Sequence, residues 1–549
     1  MFKEFTNDLR NEFKGYNSSK LIKDLLAGIT VAAVALPLAL AFGVSSGADA
    51  AAGLITAIIA GLVMSFLAGG YYQISGPTGA MAAILTSLVA SYGLDGVFVA
   101  TLIAGIIILL AGIFKLGMLT SFIPTPVITG FTSGIAVIIA LGQIDNFFGT
   151  HSEGTTAIDK LLSYGRLGFS PDMTSVLIGL FVVVFMVVFP KKWNAVVPAS
   201  LISIIIATAI SMTMKLDVAV VGAIPQTLMP ENSLKLSAIN MDTLYGLITP
   251  AFSIAILGMI ESLLCGASAG QMTGVRMRSN QELIAQGVGN IILPFFGGIP
   301  ATAAIARTSV AIKSGAQTRL TGMFHAVGLL IAMFALAPVM SQIPMAALAG
   351  VLMVTAWRMN EWHSIKYMFS HKFKGAIAEF IATMFATIIF DLTIAIVIGV
   401  LLGLIVLVVR LSRIEIHYQK VDMKRAGIDD ENLRERYSNA MVAYITGPMI
   451  FANTQKIADI EYSLEGADTL ILSMRGVSNI DISSAETVRT LVENLRVKGI
   501  DIAFSGLPET TVEMFKRTDL YDFIGEENFY WSAENILRTK RPVPAMHTA

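Results

Sequence analysis

Apolar residues are unevenly spread along this chain. From about residue 24 to 410 they form long runs, broken by short polar or glycine-rich stretches. From 411 onward charged residues return at the density of a soluble domain. Apolar runs of roughly 17–25 residues are long enough to cross a bilayer as helices. They lie near 25–43, 52–69, 96–114, 124–144, 173–190, 196–213, 247–268, 320–340, 375–390 and 392–410. Shorter runs near 77–90, 283–296, 301–312 and 345–357 bring the expected elements to about fourteen.

Two of the short runs begin alike, with ISGPTGAMAA at 74–83 and GGIPATAAIA at 297–306. The motifs lie seven elements apart, an odd number, so the second crosses the membrane in the opposite direction. This predicts an inverted repeat of seven plus seven spans, the first over 24–215 and the second over 245–410. Paired segments interrupted by Gly and Pro in corresponding positions of two halves point to a transporter substrate site near the midplane. A helix that starts inside the membrane leaves backbone N–H groups unpaired, and its dipole places partial positive charge there. Such an end is tolerated where it lines a cavity or meets a ligand. Two ends meeting head to head make one anion-binding spot without requiring a full charge. Pro77 and Pro300 are expected in the first helical turn, where no N–H is lost. Thr78 and Thr302 add hydroxyls.

The basic residues fit this count, because cytoplasmic loops carry the excess of Lys and Arg. Lys191 and Lys192, Arg276 and Arg278, Lys313 and Arg319, and Arg358, Lys366, Lys372 and Lys374 fall in even-numbered loops. Asp49, Asp95, Asp145 and Asp217 fall in odd ones, of which the 5–6 loop also holds Lys160 and Arg166. Both termini are therefore expected in the cytoplasm, with the protein in the plasma (inner) membrane. Residues 1–23 read as a charged, amphipathic lead-in along the membrane surface rather than a cleavable signal.

Composition sharpens the class. Of 549 residues 54% are hydrophobic and only 14% charged, against about 25% charged in soluble domains. The net charge of −1 suggests no nucleic-acid partner. The one cysteine, Cys265, excludes a disulfide within the chain. The sequence holds no nucleotide loop, metal-ligand spacing or nucleophile motif, so no enzyme and no metal site is expected. Residues 411–437 read as a charged linker. Over 438–540 alternating strands (MVAYITGPMIF, DTLILSMRG, GIDIAFSGL) and helical runs (AETVRTLVENLRVKG, PETTVEMFKRT) predict a compact α/β layer fold.

One acid stands out. Glu261 lies in the middle of the eighth span, where a carboxylate must face a cavity, be protonated or bind a cation. His325 reads as a packing histidine with its hydrogen bonds satisfied, and Asp391 as a cap on the last span. Glu282 reads as the third position of a capping box opened by Ser279.

The sequence resembles the sulfate permease (SulP) family, bacterial relatives of the eukaryotic anion exchangers and prestin. The resemblance rests on GITVAAVALPLALAFG (28–43), SGPTGA, MTGVRMRSNQELIAQGVGNI (272–291), FFGGIPATAAIARTS (295–309) and the C-terminal segment. It implies a core and a gate domain formed from intertwined repeats, usually in a homodimer. It also implies secondary transport of a small inorganic or carboxylate anion by alternating access. Carried over residue by residue, Leu38, Phe42, Thr78, Gly79, Ala301, Thr302 and Ala303 face the anion, and Arg307, about two turns into span 10, lies near it. Many family members have Gln where Leu38 stands. Sodium-dependent bicarbonate members carry Asp and then Thr where this chain has Glu261 and Cys265. The lost oxygen ligand weakens the case for Na+, since hard cations prefer oxygen, and favours proton coupling through Glu261.

The C-terminal segment resembles a STAS domain serving dimer contacts, assembly or regulation. Ser483 stands where the anti-sigma-factor antagonists are phosphorylated, with Ser484 in place of the usual Gly. Helix capping by Asp481 and Ser483 is the favoured reading, with phosphorylation of Ser483 the alternative. Sulfate is the favoured substrate, while bicarbonate, C4-dicarboxylates, chloride and nitrate stay open, as does exchange instead of symport. A nucleobase permease of the same architecture and an anion sensor signalling through STAS are the competing functions.

Overall fold

The structure is a computed structural model describing residues 2–118, 124–154, 157–190, 198–224, 226–228, 230, 232–235, 241–390, 392–423, 429–464 and 466–539. Lys191, Lys192 and Asp391 lie outside the described residues. The chain divides into two compact units, Met1–Gly403 and Leu404–Ala549.

The first unit is almost wholly helical. Among the described residues, Ser18–Ser45, Ala50–Leu67, Gly79–Ile113, Thr125–Phe148, Leu244–Thr273 and Leu320–Met340 are long and apolar enough to cross a membrane. Met173–Val188 and Ala199–Thr213 are shorter apolar helices. The runs expected at 77–90 and 96–114 join as Gly79–Ile113, broken at Gly93, whose φ of 67° is open to glycine at little cost. The run at 301–312 yields only the nine-residue helix Ile305–Lys313, because the residues before it extend into a strand.

That strand connects the two sequence motifs. Ser75–Gly76 (β1) and Thr302–Ala303 (β2) pair antiparallel, Ser75 opposite Ala303 and Gly76 opposite Thr302. Thr78 then caps the helix Gly79–Ile113, accepting from the Met81 N–H. Pro77 therefore precedes the cap, and Pro300 precedes β2. Neither occupies a first helical turn, because each is followed by extended backbone.

Helix packing near the motifs is backbone to backbone. A Cβ on Gly287 would lie 2.5 Å from the Leu109 nitrogen, and one on Gly105 2.7 Å from that of Ile291. The helices Gly79–Ile113 and Ser279–Ile292 can approach so closely only through such small residues. Glu282 is structural, but not through a capping box. Ser279 is already helical, and the Glu282 carboxylate instead accepts from the Gly69 N–H (2.9 Å) and Gln286 Nε2 (2.8 Å).

The N-terminal helix Phe2–Glu12 is pinned to the segments that carry Arg278 and Arg319. Asp8 pairs with Arg278 (2.7 Å), and Glu12 with the buried Arg319 (2.7 Å). Burial raises the Glu12 carboxyl above its ordinary range, while the Arg319 guanidinium opposes that rise. Asp24 collects the Gln317 and Thr318 N–H groups and the hydroxyls of Thr318, Thr321 and Tyr16. Burial and the Asp24 carboxylate push the Tyr16 hydroxyl up to about 12, so it remains a donor at physiological pH.

The second unit is a five-stranded sheet in the order β3 (Glu415–Lys420), β4 (Ala440–Thr446), β5 (Thr469–Gly476), β6 (Asp501–Ser505) and β7 (Phe529–Tyr530). Only the β3–β4 pair is antiparallel. The stretch 411–437, expected as a linker, supplies β3 and the helix Glu431–Arg436. Asp481 caps Ile482–Val497, accepting from the Ser484 N–H (2.9 Å). Ser483 does not share that role: it is the helix's second residue, and its side chain is exposed.

Candidate anion site

The paired strands bring together side chains far apart in sequence. Thr78, the cap of one helix, and Thr302, in the strand before the other, both donate to Glu261 Oε2, at 2.9 and 2.6 Å. Glu261 comes from the middle of Met241–Thr273, which packs along Gly79–Ile113. Arg307 is the third residue of Ile305–Lys313, a first-turn position rather than one two turns in, because the helix begins only after β2. It is 2% exposed. Its Nη2 donates to the Pro77 carbonyl (2.9 Å), and its Nη1 is buried with no hydrogen-bond partner. The Glu261 carboxylate is thus held by two threonines, while Arg307 spends one arm on backbone and leaves the other free.

Gly76 makes room for that free arm. A Cβ there would lie 2.5 Å from Nη1 and 3.3 Å from Cζ of Arg307. At Gly79 a Cβ would run into Ile139 Cδ1 and come within 3.1 Å of Phe42 Cε1. Phe42 and Ile139 are both buried and close over this helix start. Leu38, one turn before Phe42, is half-buried. Ala301, Thr302 and Ala303 are buried. The structure therefore gathers Phe42, Thr78, Gly79, Thr302, Arg307 and Glu261 around the crossing strands. Ser483 belongs to the other unit.

Several residues that hold the strands were not singled out from sequence. The Asn290 side chain donates to the Ala301 carbonyl and accepts from the Ala301 N–H, both at 2.9 Å, in the manner of a neighbouring strand. Gln286 Nε2 donates to Ser75 Oγ (2.8 Å). Gln73 Nε2 donates to the Ser262 carbonyl, and Ser262 Oγ accepts from the Ala303 N–H. Thr56 Oγ1 accepts from the Ile299 N–H (2.8 Å). Uncharged polar residues within apolar helices were the available signal, because such groups need partners away from water. Replacing Asn290 by Leu leaves both backbone groups of Ala301 buried and unpaired, at about 1–3 kcal/mol each. The expected result is a clear fall in melting temperature in detergent, with anion-dependent stabilisation lost; an unchanged melt would show the amide is dispensable.

Other expectations fare differently. Cys265 Sγ is buried and donates to Thr308 Oγ1 (3.2 Å) rather than facing Glu261. His325 is buried, but neither ring nitrogen has a hydrogen-bond partner, so it packs without being satisfied. Among the described residues no group of three or more His, Cys, Asp or Glu forms a metal site. Among the described residues the side-chain oxygens that meet here are the Glu261 carboxylate and the Thr78 and Thr302 hydroxyls, fewer than the roughly six to eight oxygens around a caged Ca2+.

The murine Slc26a9 anion transporter in its inward-facing state superposes with a TM-score of 0.80 at 18% identity, covering 95% of this chain and 92% of that one. The likeness shows a shared fold. The sulfate permease family model matches residues 21–384 and the STAS domain model residues 433–535. YvdB of Bacillus subtilis (strain 168) is 35% identical over 533 residues, 94% of this chain and 97% of that protein. The bicarbonate transporter BicA of Synechocystis sp. is 30% identical over 533 residues, 94% and 93% of the two chains. The chain belongs to the sulfate permease family, whose members are membrane transporters of anions and not enzymes.

Proposed function

We propose that this protein is a secondary active transporter that binds a small anion between the starts of the helices Gly79–Ile113 and Ile305–Lys313. The observation that carries the reading is the buried, unpartnered Nη1 of Arg307 beside two converging helix starts. A guanidinium arm without a partner is costly, and an anion at the crossing strands would satisfy it. The substrate is a small inorganic or carboxylate anion, since backbone dipoles and one Arg read charge more than identity. YvdB carries sulfate in its name and BicA bicarbonate, so both head the candidates. Coupling is to protons through Glu261, in symport, with the core moving against the gate.

The antiparallel pairing of β1 with β2 supports the inverted repeat of seven plus seven spans. The helix Phe2–Glu12, lying against the loops of Arg278 and Arg319, supports cytoplasmic termini in the plasma membrane. The working form is a homodimer, with the STAS domain regulating or assembling it and Ser483 an exposed candidate for phosphorylation. One observation favours a second reading, coupling to Na+. Glu261 and two threonine hydroxyls converge as oxygen ligands, and BicA is a bicarbonate transporter.

The test is uptake into proteoliposomes of sulfate, bicarbonate, a C4-dicarboxylate, chloride and nitrate, with and without a pH gradient, Na+ and internal anion. At least one anion is expected to accumulate with an inward proton gradient and without Na+. Accumulation only with Na+ selects the second reading. Thr302→Trp is expected to abolish uptake by filling the crossing point. Normal uptake by that variant would mean the two helix starts do not face substrate.

A further inference from the structure

A cavity of about 330 Å³ lies on the other side of Ile139 from the crossing strands. Its wall comes from the C-terminal end of Ser18–Ser45, the first turns of Gly79–Ile113, the ends of Thr125–Gly142 and Lys374–Ile389, and the start of Met241–Thr273. Much of it is apolar, including Ile84, Leu88, Ile138, Ile388 and Phe390. Its hydroxyls look suited to an anion, but most are spent. Thr86 donates to the Ser45 and Ala82 carbonyls, Ser87 to Ile84, Ser253 to Thr249 and Thr387 to Thr383. They turn lone pairs, not protons, towards the space. A vestibule built from these alone would repel an anion.

One side chain reverses that. Lys160, from the short helix Ala157–Leu167, is the one charged residue lining the cavity among the described residues. Among the described residues no carboxylate forms an ion pair with it. No acidic side chain among the described residues lines the cavity. A single cation over low-dielectric walls focuses its field into the space it borders and raises the local concentration of counter-ions. We infer that this cavity is an anion-collecting vestibule. Lys160 is its electrostatic anchor, holding a small anion outside the Phe42–Ile139 closure before it reaches Arg307. The inference rests on the transport reading above. It adds a second, outer subsite for the same class of ligand, set by charge and not by shape. It also gives a role to a cation in the 5–6 loop, which the distribution of basic residues among loops left unexplained.

The test needs no transported substrate. Ser91 lines the cavity and is exposed, while the native Cys265 is buried. Ser91→Cys in the full-length protein therefore reports the potential inside the vestibule. Its rate of reaction is measured with an anionic (sulfonatoethyl) and a cationic (trimethylammonioethyl) methanethiosulfonate reagent. With Lys160 present the anionic reagent is expected to be favoured. In Lys160→Gln the anionic-to-cationic ratio should fall about tenfold at low salt, the scale of field focusing in a cleft. Lys160→Arg should keep the ratio, and raising the salt should shrink it in both. A ratio unchanged in Lys160→Gln overturns the inference, as does a Cys at 91 inert to both reagents. Failure here leaves the inner site standing. Failure of uptake with a normal reactivity ratio counts against the transport reading alone.

Discussion

Replacing Glu261 by Gln is expected to abolish proton-driven uptake while leaving anion binding largely intact. Both threonine hydroxyls converge on one oxygen of Glu261, at 2.9 and 2.6 Å. Glutamine keeps an acceptor oxygen of the same reach, so Thr78 and Thr302 retain their partner and the strand crossing keeps its geometry. What glutamine loses is the ability to take and release a proton. When Glu261 is ionised it occupies, with its own charge, the hydroxyls that a substrate anion would also use. Protonation removes that charge and turns one oxygen into a donor, so proton and anion would enter the site together. Uptake measured against a pH gradient, beside equilibrium binding of the same anion, separates the two effects. The expected outcome is a flat pH dependence with binding changed by less than about threefold, under 1 kcal/mol. Unchanged pH dependence in the variant would sink the coupling assignment. Glu261→Asp supplies the contrast: it still titrates but is one methylene too short to reach both threonines. It should transport slowly while remaining coupled.

The breaks in the apolar pattern were the part of the site that sequence made visible. ISGPTGAMAA and GGIPATAAIA interrupt runs that would otherwise span, and no packing argument explains two such interruptions at corresponding places. The distance between them was equally legible, and the structure brings them into direct antiparallel contact. The local form was not. Pro77 and Pro300 fit a helix start as readily as a strand exit, and only the β1–β2 pairing decides between them. That pairing also delays the second helix and moves Arg307 into its first turn. Asn290, Gln286 and Gln73 showed in the sequence only as polar residues in apolar surroundings, without their partners. Asn290 and Gln286 sit on one apolar helix and Gln73 in the segment before β1, and each acts through a partner that only the strand crossing brings near: the Ala301 backbone, the Ser75 hydroxyl and the Ser262 carbonyl. Lys160 was counted only as a loop charge, because its position over a cavity depends on helices from both halves of the chain. In the second unit the alternation of strands and helices was plain, whereas β3 was hidden in a charged stretch. An edge strand exposed along nearly its whole length carries charge without losing its pairing.

Gly76→Ala is expected to weaken anion binding about 10- to 100-fold, although it adds only a methyl group. The new Cβ would stand 2.5 Å from Arg307 Nη1, closer than van der Waals contact allows. Gly76 lies in β1 and is paired to Thr302, so its backbone cannot retreat without opening the strand crossing. Arg307 is walled in at 2% exposure, so the guanidinium has little room to yield. The arm that moves is the unpartnered one, and its displacement strains the Nη2 bond to the Pro77 carbonyl. A hydrogen bond to a charged group contributes about 1.5–3 kcal/mol, which corresponds to the stated loss at about 1.4 kcal/mol per decade. Binding of the transported anion, followed by its stabilisation of the protein in detergent, gives the measurement. The decisive comparison is a double variant. Arg307→Lys removes both Nη atoms, so the clash with a Cβ at position 76 disappears. Gly76→Ala should then cost almost nothing when added to Arg307→Lys, a strong departure from additivity for residues in contact. Full additivity of the two substitutions would mean that Gly76 acts through the strand alone, and that the free arm of Arg307 is not what holds the anion.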